Sequence, residues 1–203
     1  MIFIYLVPNF YNMFIRVKKV KKRSGKTYEY AHLVNGVWKR RKLFYSGNVK
    51  KFRKYNNSVH KYSGLLGRVY RFEKIKKEID FDAVFGRFQD FVDKNDANKI
   101  YKVLIGCELF SRGFLKRGDI WFRNGLFVDL NRLVVHDSKK DAVIKLKSFG
   151  GYLCNLTLQE LFNIKKIENR YDGIYLMKKI RSFGITLSAD QFFILADKLL
   201  REN

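Results

Sequence analysis

Two aspartates and a lysine in the C-terminal half stand in an order that suits phosphodiester hydrolysis. Asp129 ends the apolar segment LFVD, while Asp137 and Lys139 follow a second apolar segment, RLVVH. A carboxylate followed by a carboxylate-x-Lys can hold a divalent cation and orient an attacking water. Residues 137–141 are also typical of an ordinary polar hairpin turn. A metal-dependent nuclease that uses Asp129, Asp137 and Lys139 is therefore one candidate function, the alternative to the nucleic-acid-binding function described next.

A second kind of chemistry is indicated in the N-terminal third, where cations are interleaved with aromatic rings. Phosphates require positive charge, and unpaired bases stack on flat rings, so this combination is typical of nucleic-acid binding. Phe14, Tyr30 and Trp38 are each interpreted as part of the buried face of a sheet. The predicted nucleic-acid-binding residues are Arg16, Lys18, Lys19, Lys21, Lys22, Arg23, Lys26, Lys39, Arg40, Arg41, Lys42, Tyr45, Lys50, Lys51, Phe52, Arg53, Lys54 and Tyr55.

The net charge is distributed unevenly along the 203 residues. Of the total of +23, residues 1–78 carry +18, because 21 Lys and Arg face three acids, and residues 79–203 carry +5. A field of this sign attracts polyanions through Coulomb attraction and counterion release. A membrane surface would need a basic amphipathic helix, whereas the basic third has the pattern of strands. Nucleic acid is the expected partner, and no membrane is expected.

The basic region also resembles a known family. The segment MFIRVKKVKKRSGKTYEYAHLVNGVWKRRKL and the later YSGLLGRVY are similar to the N-terminal region of insertion-sequence DDE transposases and to small archaeal proteins with the same opening. The resemblance covers residues 13–72, interrupted by NVKKFRKYNNSVHKYS, and it leaves too little chain for a DDE catalytic domain. It implies a DNA-binding module and gives no support for transposition. The implied contacts come from Arg16, Lys18, Lys19, Lys26, Lys39, Arg40 and Arg41.

The basic and aromatic residues of the N-terminal region are expected to lie on β-strands. Period-two alternation from residue 13 places Phe14, Arg16 and Lys18 on one side of a β-strand. A Ser24-Gly25 turn follows. Asn35-Gly36 then lies between two β-rich runs, and this pair favours a hairpin because both central positions need positive φ. Strands over 26–34 and 37–45 would complete a three-stranded antiparallel meander.

The rest of the chain combines helices with hairpins. Apolar spacing predicts amphipathic helices over 82–92 and 98–109. Four β-rich runs between 119 and 147 predict two successive hairpins, and a helix over 172–183 is expected to end near Gly184. Two pairs fit capping boxes at helix starts: Thr157 with Glu160, and Ser188 with Gln191.

The expected fold class is α+β, an antiparallel meander followed by a mixed domain with a helical C-terminus. The boundary is expected within 64–80 and is placed after residue 78, which gives a basic module over 13–78 and an α+β domain over 79–203. Residues 1–12 are interpreted as an extension from an upstream start site or as a tail. They are too short and too interrupted for a signal or an anchor.

No cofactor or metal is predicted. Cys107 and Cys154 lie in apolar neighbourhoods and are expected to be buried, reduced thiols, in keeping with a cytoplasmic location. His32, His60 and His136 lack the spacing of metal ligands.

A non-enzymatic protein that binds nucleic acid, DNA in preference to RNA, is the expected function. Besides the nuclease, a protein associated with ribosomal RNA is an alternative. In either case the C-terminal helices are a candidate surface for a protein partner.

Overall fold

The computed structural model describes residues 13–39, 57–75, 79–138, 140–147 and 151–201. Within these ranges nine strands and six helices confirm the α+β class. Contacts divide the chain into a first unit, Met1–Leu65, and a second unit, Leu66–Asn203. This division falls within the 64–80 interval and earlier than residue 78. The elements are β1 (Met13–Lys21), β2 (Thr27–Lys39), β3 (Asn57–Arg71), α1 (Phe81–Phe85), α2 (Phe88–Lys94), α3 (Ala97–Ser111), β4 (Leu115–Arg117), β5 (Ile120–Arg123), β6 (Leu126–Asp129), β7 (Val134–Asp137), β8 (Lys140–Lys145), β9 (Tyr152–Leu153), α4 (Asn155–Phe162), α5 (Arg170–Phe183) and α6 (Ala189–Arg201).

The first unit contains the predicted antiparallel meander. β1 and β2 pair from Met13↔Asn35 to Lys21↔Thr27, around a tight turn in which Gly25 has a φ of 78°. The Gly25 N–H donates to the Lys22 carbonyl at 2.9 Å. β3 lies beside β2 and completes the meander.

The predicted hairpin at Asn35-Gly36 was wrong. β2 runs through this pair to Lys39, and Asn35 is opposite Met13 in the ladder. Neither Asn35 nor Gly36 has the positive φ that the two-residue turn requires. The strand beside β2 is β3, from further along the chain, so the predicted third strand over 37–45 is replaced. Long-range pairing here overrides a local turn preference; residues 40–45 lie outside the described ranges.

The second unit is built around the other end of β3. Its last residues pair in parallel with β8, from Arg68↔Ala142 to Arg71↔Lys145. β4 to β8 are successive antiparallel neighbours, as the predicted hairpins require. β9 pairs with β8 as well. Neither β4 nor β9 was predicted, because strands of three and two residues are too short to show a period.

Helices cover one face of this sheet and form the core with it. Leu126, Val128 and Val135 from the strands are fully buried and belong to one cluster with apolar side chains of α2 to α6. Tyr101 of α3 is also fully buried, and its hydroxyl donates to the Ile164 carbonyl at 2.8 Å. Apolar residues recur at helical spacing in these helices because one face of each helix packs into this cluster.

Most helix predictions are confirmed, but one predicted helix is divided into two. The helix expected over 82–92 is two helices, α1 and α2, because Gly86 adopts a φ of 79° between them. α3 covers the predicted 98–109. α5 ends at Gly184 in the left-handed conformation, as expected of a C-terminal glycine. No helix in the described ranges combines the length and the hydropathy needed to cross a bilayer.

The two predicted capping boxes have different outcomes. At α6 the Gln191 N–H donates to Ser188 Oγ at 3.1 Å, and the Ser188 N–H donates to Gln191 Oε1 at 3.0 Å, which confirms the box. The Thr157–Glu160 box was wrong. α4 begins at Asn155, so Thr157 is its third residue and accepts from the Cys154 N–H at 3.0 Å.

Candidate nucleic-acid interface

Side chains alternate between the two faces of the sheet along β1 and β2, so the two faces carry different residues. Residues directly opposite in an antiparallel pair project from the same face, and the register joins Arg16 to His32 and Lys18 to Tyr30. We define the front face as Phe14, Arg16, Lys18, Val20, Tyr28, Tyr30, His32 and Val34, together with His60 and Tyr62 of β3, whose rings contact Phe14 and His32. The back face consists of the alternate residues of β1 and β2, from Met13 to Lys21 and from Thr27 to Asn35.

Aromatic rings lie across the strands of the front face. The rings of Phe14 and His60 are 5.2 Å apart at 79°, and Val34, opposite Phe14, is fully buried. The rings of His32 and Tyr62 are 5.5 Å apart at 80°. Phe14 and Tyr62 nevertheless remain 42% and 56% exposed. The front face is therefore an aromatic surface that solvent reaches.

Cations lie beside these rings. Arg16 Nη1 is 3.4 Å from His60 Nδ1, and Lys22 Nζ lies 4.8 Å from the centre of the Tyr28 ring. Arg16 and Lys18 are both exposed. Cations and rings thus share one surface, where each can contact a different part of a nucleotide.

An open groove of about 410 Å³ lies on the same face. It is lined by Lys18, Val20, Tyr30, His32, Tyr62 and Leu65, all of the first unit. Its lining combines three rings, two aliphatic side chains and one cation. The groove is therefore able to take a flat, partly apolar group with a negative charge nearby.

The back face has a different character. Ala31 is fully buried, while Ile15, Val17 and Leu33 are half-buried. Glu29 is on this face, opposite Lys19. The one acidic residue of β1 and β2 is therefore on the back face.

The structure divides the predicted binding residues. Arg16 and Lys18 are on the front face, and Lys22, just after β1, lies against the front-face ring of Tyr28. Lys19 and Lys21 project from the back face, and Arg23 and Lys26 are exposed around the turn. Lys39 ends β2, and its side chain is not described. The remaining predicted residues, Arg40, Arg41, Lys42, Tyr45, Lys50, Lys51, Phe52, Arg53, Lys54 and Tyr55, lie outside the described ranges.

Sequence reasoning assigned the ring of Phe14 wrongly. Phe14 was interpreted as part of a buried face, but it is one of the exposed rings; Tyr30 is half-buried. His32, His60 and Tyr62 were not among the predicted binding residues. The pattern that could have found His32 is the alternation Tyr28-x-Tyr30-x-His32, since one face of a strand must carry all three.

The structure does not bring the two nuclease aspartates together. Asp129 is opposite Val134 at one end of the β6–β7 pair, and Asp137 is opposite Leu126 at the other. The offset of three residues corresponds to about 10 Å along the strand. Their side chains also project from opposite faces, since residues 126 and 129 differ in parity. One cation cannot be held by both carboxylates, and Lys139 lies outside the described ranges.

Each aspartate has a structural role instead. Asp129 Oδ1 accepts from the N–H groups of Asn131 and Arg132 at 2.9 and 3.0 Å, and Asp137 accepts from the Tyr70 hydroxyl. In the part of the chain that the structure describes, no three His, Cys, Asp or Glu residues are grouped as metal ligands.

The two thiols are poor nucleophiles at neutral pH. Burial raises the pKa of the Cys107 thiol to about 11. Burial also raises the pKa of Cys154, which is fully buried, while Cys107 is half-buried. Both cysteines are free. Since the thiolate is the reactive form, neither residue has the properties of a catalytic cysteine.

Comparison with known protein families, with characterised proteins and with solved structures finds no match to this chain.

Proposed function

We propose that this protein binds nucleic acid through the front face of the first unit, without catalysing a reaction on it. The observation that carries the proposal is the sorting of side chains in β1 and β2. Arg16 and Lys18 lie with the rings on the exposed front face, whereas Glu29 lies on the back. Solubility alone would be served by cations on either face.

The arrangement supports phosphate contacts. Arg16 and Lys18 are two residues apart on one strand, which separates their Cα atoms by about 6.6 Å. They can therefore contact different phosphates, while the exposed turn residues Arg23 and Lys26 extend the positive surface. The net charge of +18 over residues 1–78 favours association with any polyanion.

DNA is the preferred ligand in this proposal. The likeness of residues 13–72 to the N-terminal region of insertion-sequence transposases supports DNA over RNA. The nuclease alternative is not favoured, because Asp129 and Asp137 lie at opposite ends and on opposite faces of their strand pair.

Two double variants with equal charge test the proposal. Arg16→Gln with Lys18→Gln removes two cations from the front face, and Lys19→Gln with Lys21→Gln removes two from the back face of the same strand. Binding of a labelled DNA oligonucleotide is measured by fluorescence anisotropy over a range of salt concentrations. Circular dichroism checks that both variants fold.

We expect the front-face variant to reduce the slope of log K against log salt by about 1.4 to 1.8, because each lost phosphate contact contributes about 0.7 to 0.9. The back-face variant should leave the slope nearly unchanged. Equal reductions in both variants would mean that the charge acts without regard to the face, and would refute the assignment.

A further inference from the structure

The groove on the front face has a lining that suits an unpaired base. Tyr30, His32 and Tyr62 supply rings, Val20 and Leu65 supply aliphatic contacts, and Lys18 supplies the cation. A ligand with only phosphates would gain nothing from the apolar part of this lining. A nucleobase gains stacking on the rings, and its own phosphate can reach the lysine.

The ring geometry leaves stacking surface available. His32 and Tyr62 meet at 80° with centroids 5.5 Å apart. In such an edge-to-face pair, the ring that contributes its edge keeps both faces clear of its neighbour. Tyr62 is also 56% exposed. A flat group can therefore enter beside this pair without displacing a core residue.

The cations are in register with the rings. Lys18 is directly opposite Tyr30, and Arg16 is directly opposite His32. Each of these two cross-strand rows thus carries a cation on β1 and a ring on β2. A strand of nucleic acid that runs along β1 can place successive phosphates beside Arg16 and Lys18 while its bases lie over β2 and β3.

We propose that the front face selects single-stranded nucleic acid, with an unpaired base held in the groove among Tyr30, His32 and Tyr62. The inference rests on the proposed function and adds the class of ligand to it. A duplex keeps its base faces stacked on one another, so it offers the groove nothing to hold. It contacts the front face through its phosphates alone.

The test compares a ring variant with a matched control. Tyr62→Leu keeps apolar bulk and removes the ring. Tyr171→Leu makes the same change at a tyrosine of α5 that is 79% exposed. Affinities are measured by anisotropy for a single-stranded DNA, a single-stranded RNA of the same sequence, and the corresponding DNA duplex, all at one salt concentration.

We expect the unmodified protein to bind the single strands more tightly than the duplex. Tyr62→Leu should weaken single-strand binding about 5- to 150-fold, the effect of losing one stacked base, and leave duplex binding nearly unchanged. Tyr171→Leu should change neither. The ratio of the DNA and RNA affinities identifies the sugar that is preferred.

Duplex binding as tight as single-strand binding would overturn the inference, as would an equal loss on both ligands in Tyr62→Leu. The front-face double variant separates this failure from that of the proposed function. If it weakens binding of every ligand while Tyr62→Leu has no selective effect, phosphate binding stands and base binding fails. If it weakens none, both proposals fail.

Discussion

Arg112 in the second unit is 5% exposed and is bonded along its whole guanidinium, whereas Arg16 and Lys18 in the first unit project from a sheet into solvent. Arg112 Nε and Nη2 donate to Glu108 Oε1 at 3.1 and 2.8 Å, and its Nη groups also donate to the carbonyls of Phe72 and Leu146. Arginine therefore joins elements in one unit and is exposed to solvent in the other.

The solvent-facing side of the second unit's sheet can be compared with the front face of the first unit. Across β4 to β7 the register aligns Leu115, Phe122, Phe127 and His136 in one row. The rings of Phe127 and His136 stack 5.1 Å apart at 17°. The neighbouring row contains Asp129 as well as Arg117. Exposed rings are thus common to both units. Among the described residues, the front face combines its rings with Arg16 and Lys18 and has no carboxylate, whereas the second unit's face includes Asp129.

The largest expected effect is on stability, from Arg112→Met. Loss of the guanidinium leaves the largely buried Glu108 and two carbonyls without their shared donor, although Lys74 Nζ remains 3.4 Å from Glu108. Breaking a buried ion pair in this way costs about 3–5 kcal/mol. Urea denaturation measures the free energy of unfolding, and the front-face variant Arg16→Gln with Lys18→Gln should lower it by less than about 0.5 kcal/mol.

Arg117→Met is the control within the second unit, because Arg117 is exposed on β4. It should stay within about 0.5 kcal/mol of the unmodified protein. If Arg112→Met were equally mild, the distinction between a buried, bonded arginine and solvent-exposed arginines would not hold.

A smaller loss is expected from Gly67→Ala in β3. A Cβ at Gly67 would lie 2.3 Å from the Asp141 carbonyl oxygen, and the residue has a φ of +133°. Backbone strain and overpacking together should cost about 2–4 kcal/mol. Thermal and urea unfolding measure the loss.

Gly64 is the matched control, since it is on the same strand but in the first unit. Nothing lies within 4 Å of a Cβ at Gly64, so Gly64→Ala should be close to neutral. Equal costs at the two positions would show that close packing is not confined to the second unit's part of β3.

The smallest expected effect comes from Asp129→Ala. The change removes the acceptor for two backbone N–H groups in the β6–β7 turn and should cost about 1 kcal/mol, as loss of a comparable side-chain cap does. Millimolar Mg²⁺ should not shift the unfolding midpoint of the unmodified protein. A shift that Asp129→Ala or Asp137→Ala abolished would restore the nuclease alternative and give the second unit a ligand-binding role of its own.

Much of the local structure could be predicted from the sequence. Alternation placed Arg16 and Lys18 together on one side of β1, and the cap at Ser188 and the glycine at 184 placed the ends of two helices correctly. These features depend on residues that are close together in the sequence. Local hydrogen bonds fix the helix ends, and the spacing of side chains fixes the face on which each one lies.

The candidate site was predicted in part. Arg16, Lys18 and Lys22 were named, but the exposure of Phe14 and the proximity of His60 and Tyr62 to β1 and β2 were not. These contacts depend on β3 lying beside β2. The Asn35-Gly36 pair pointed instead to a strand that follows it immediately.

The sequence by itself determined the α+β class, the basic character of the first 78 residues and the two-sided arrangement of β1. These features depend only on which residues are present and on their spacing along the chain. Only the tertiary structure decided which strand completes the meander, that Asp129 and Asp137 lie apart, and that Arg112 is buried. Each of these depends on pairing between distant segments, and such pairing is selected by the burial of side chains from many elements at once.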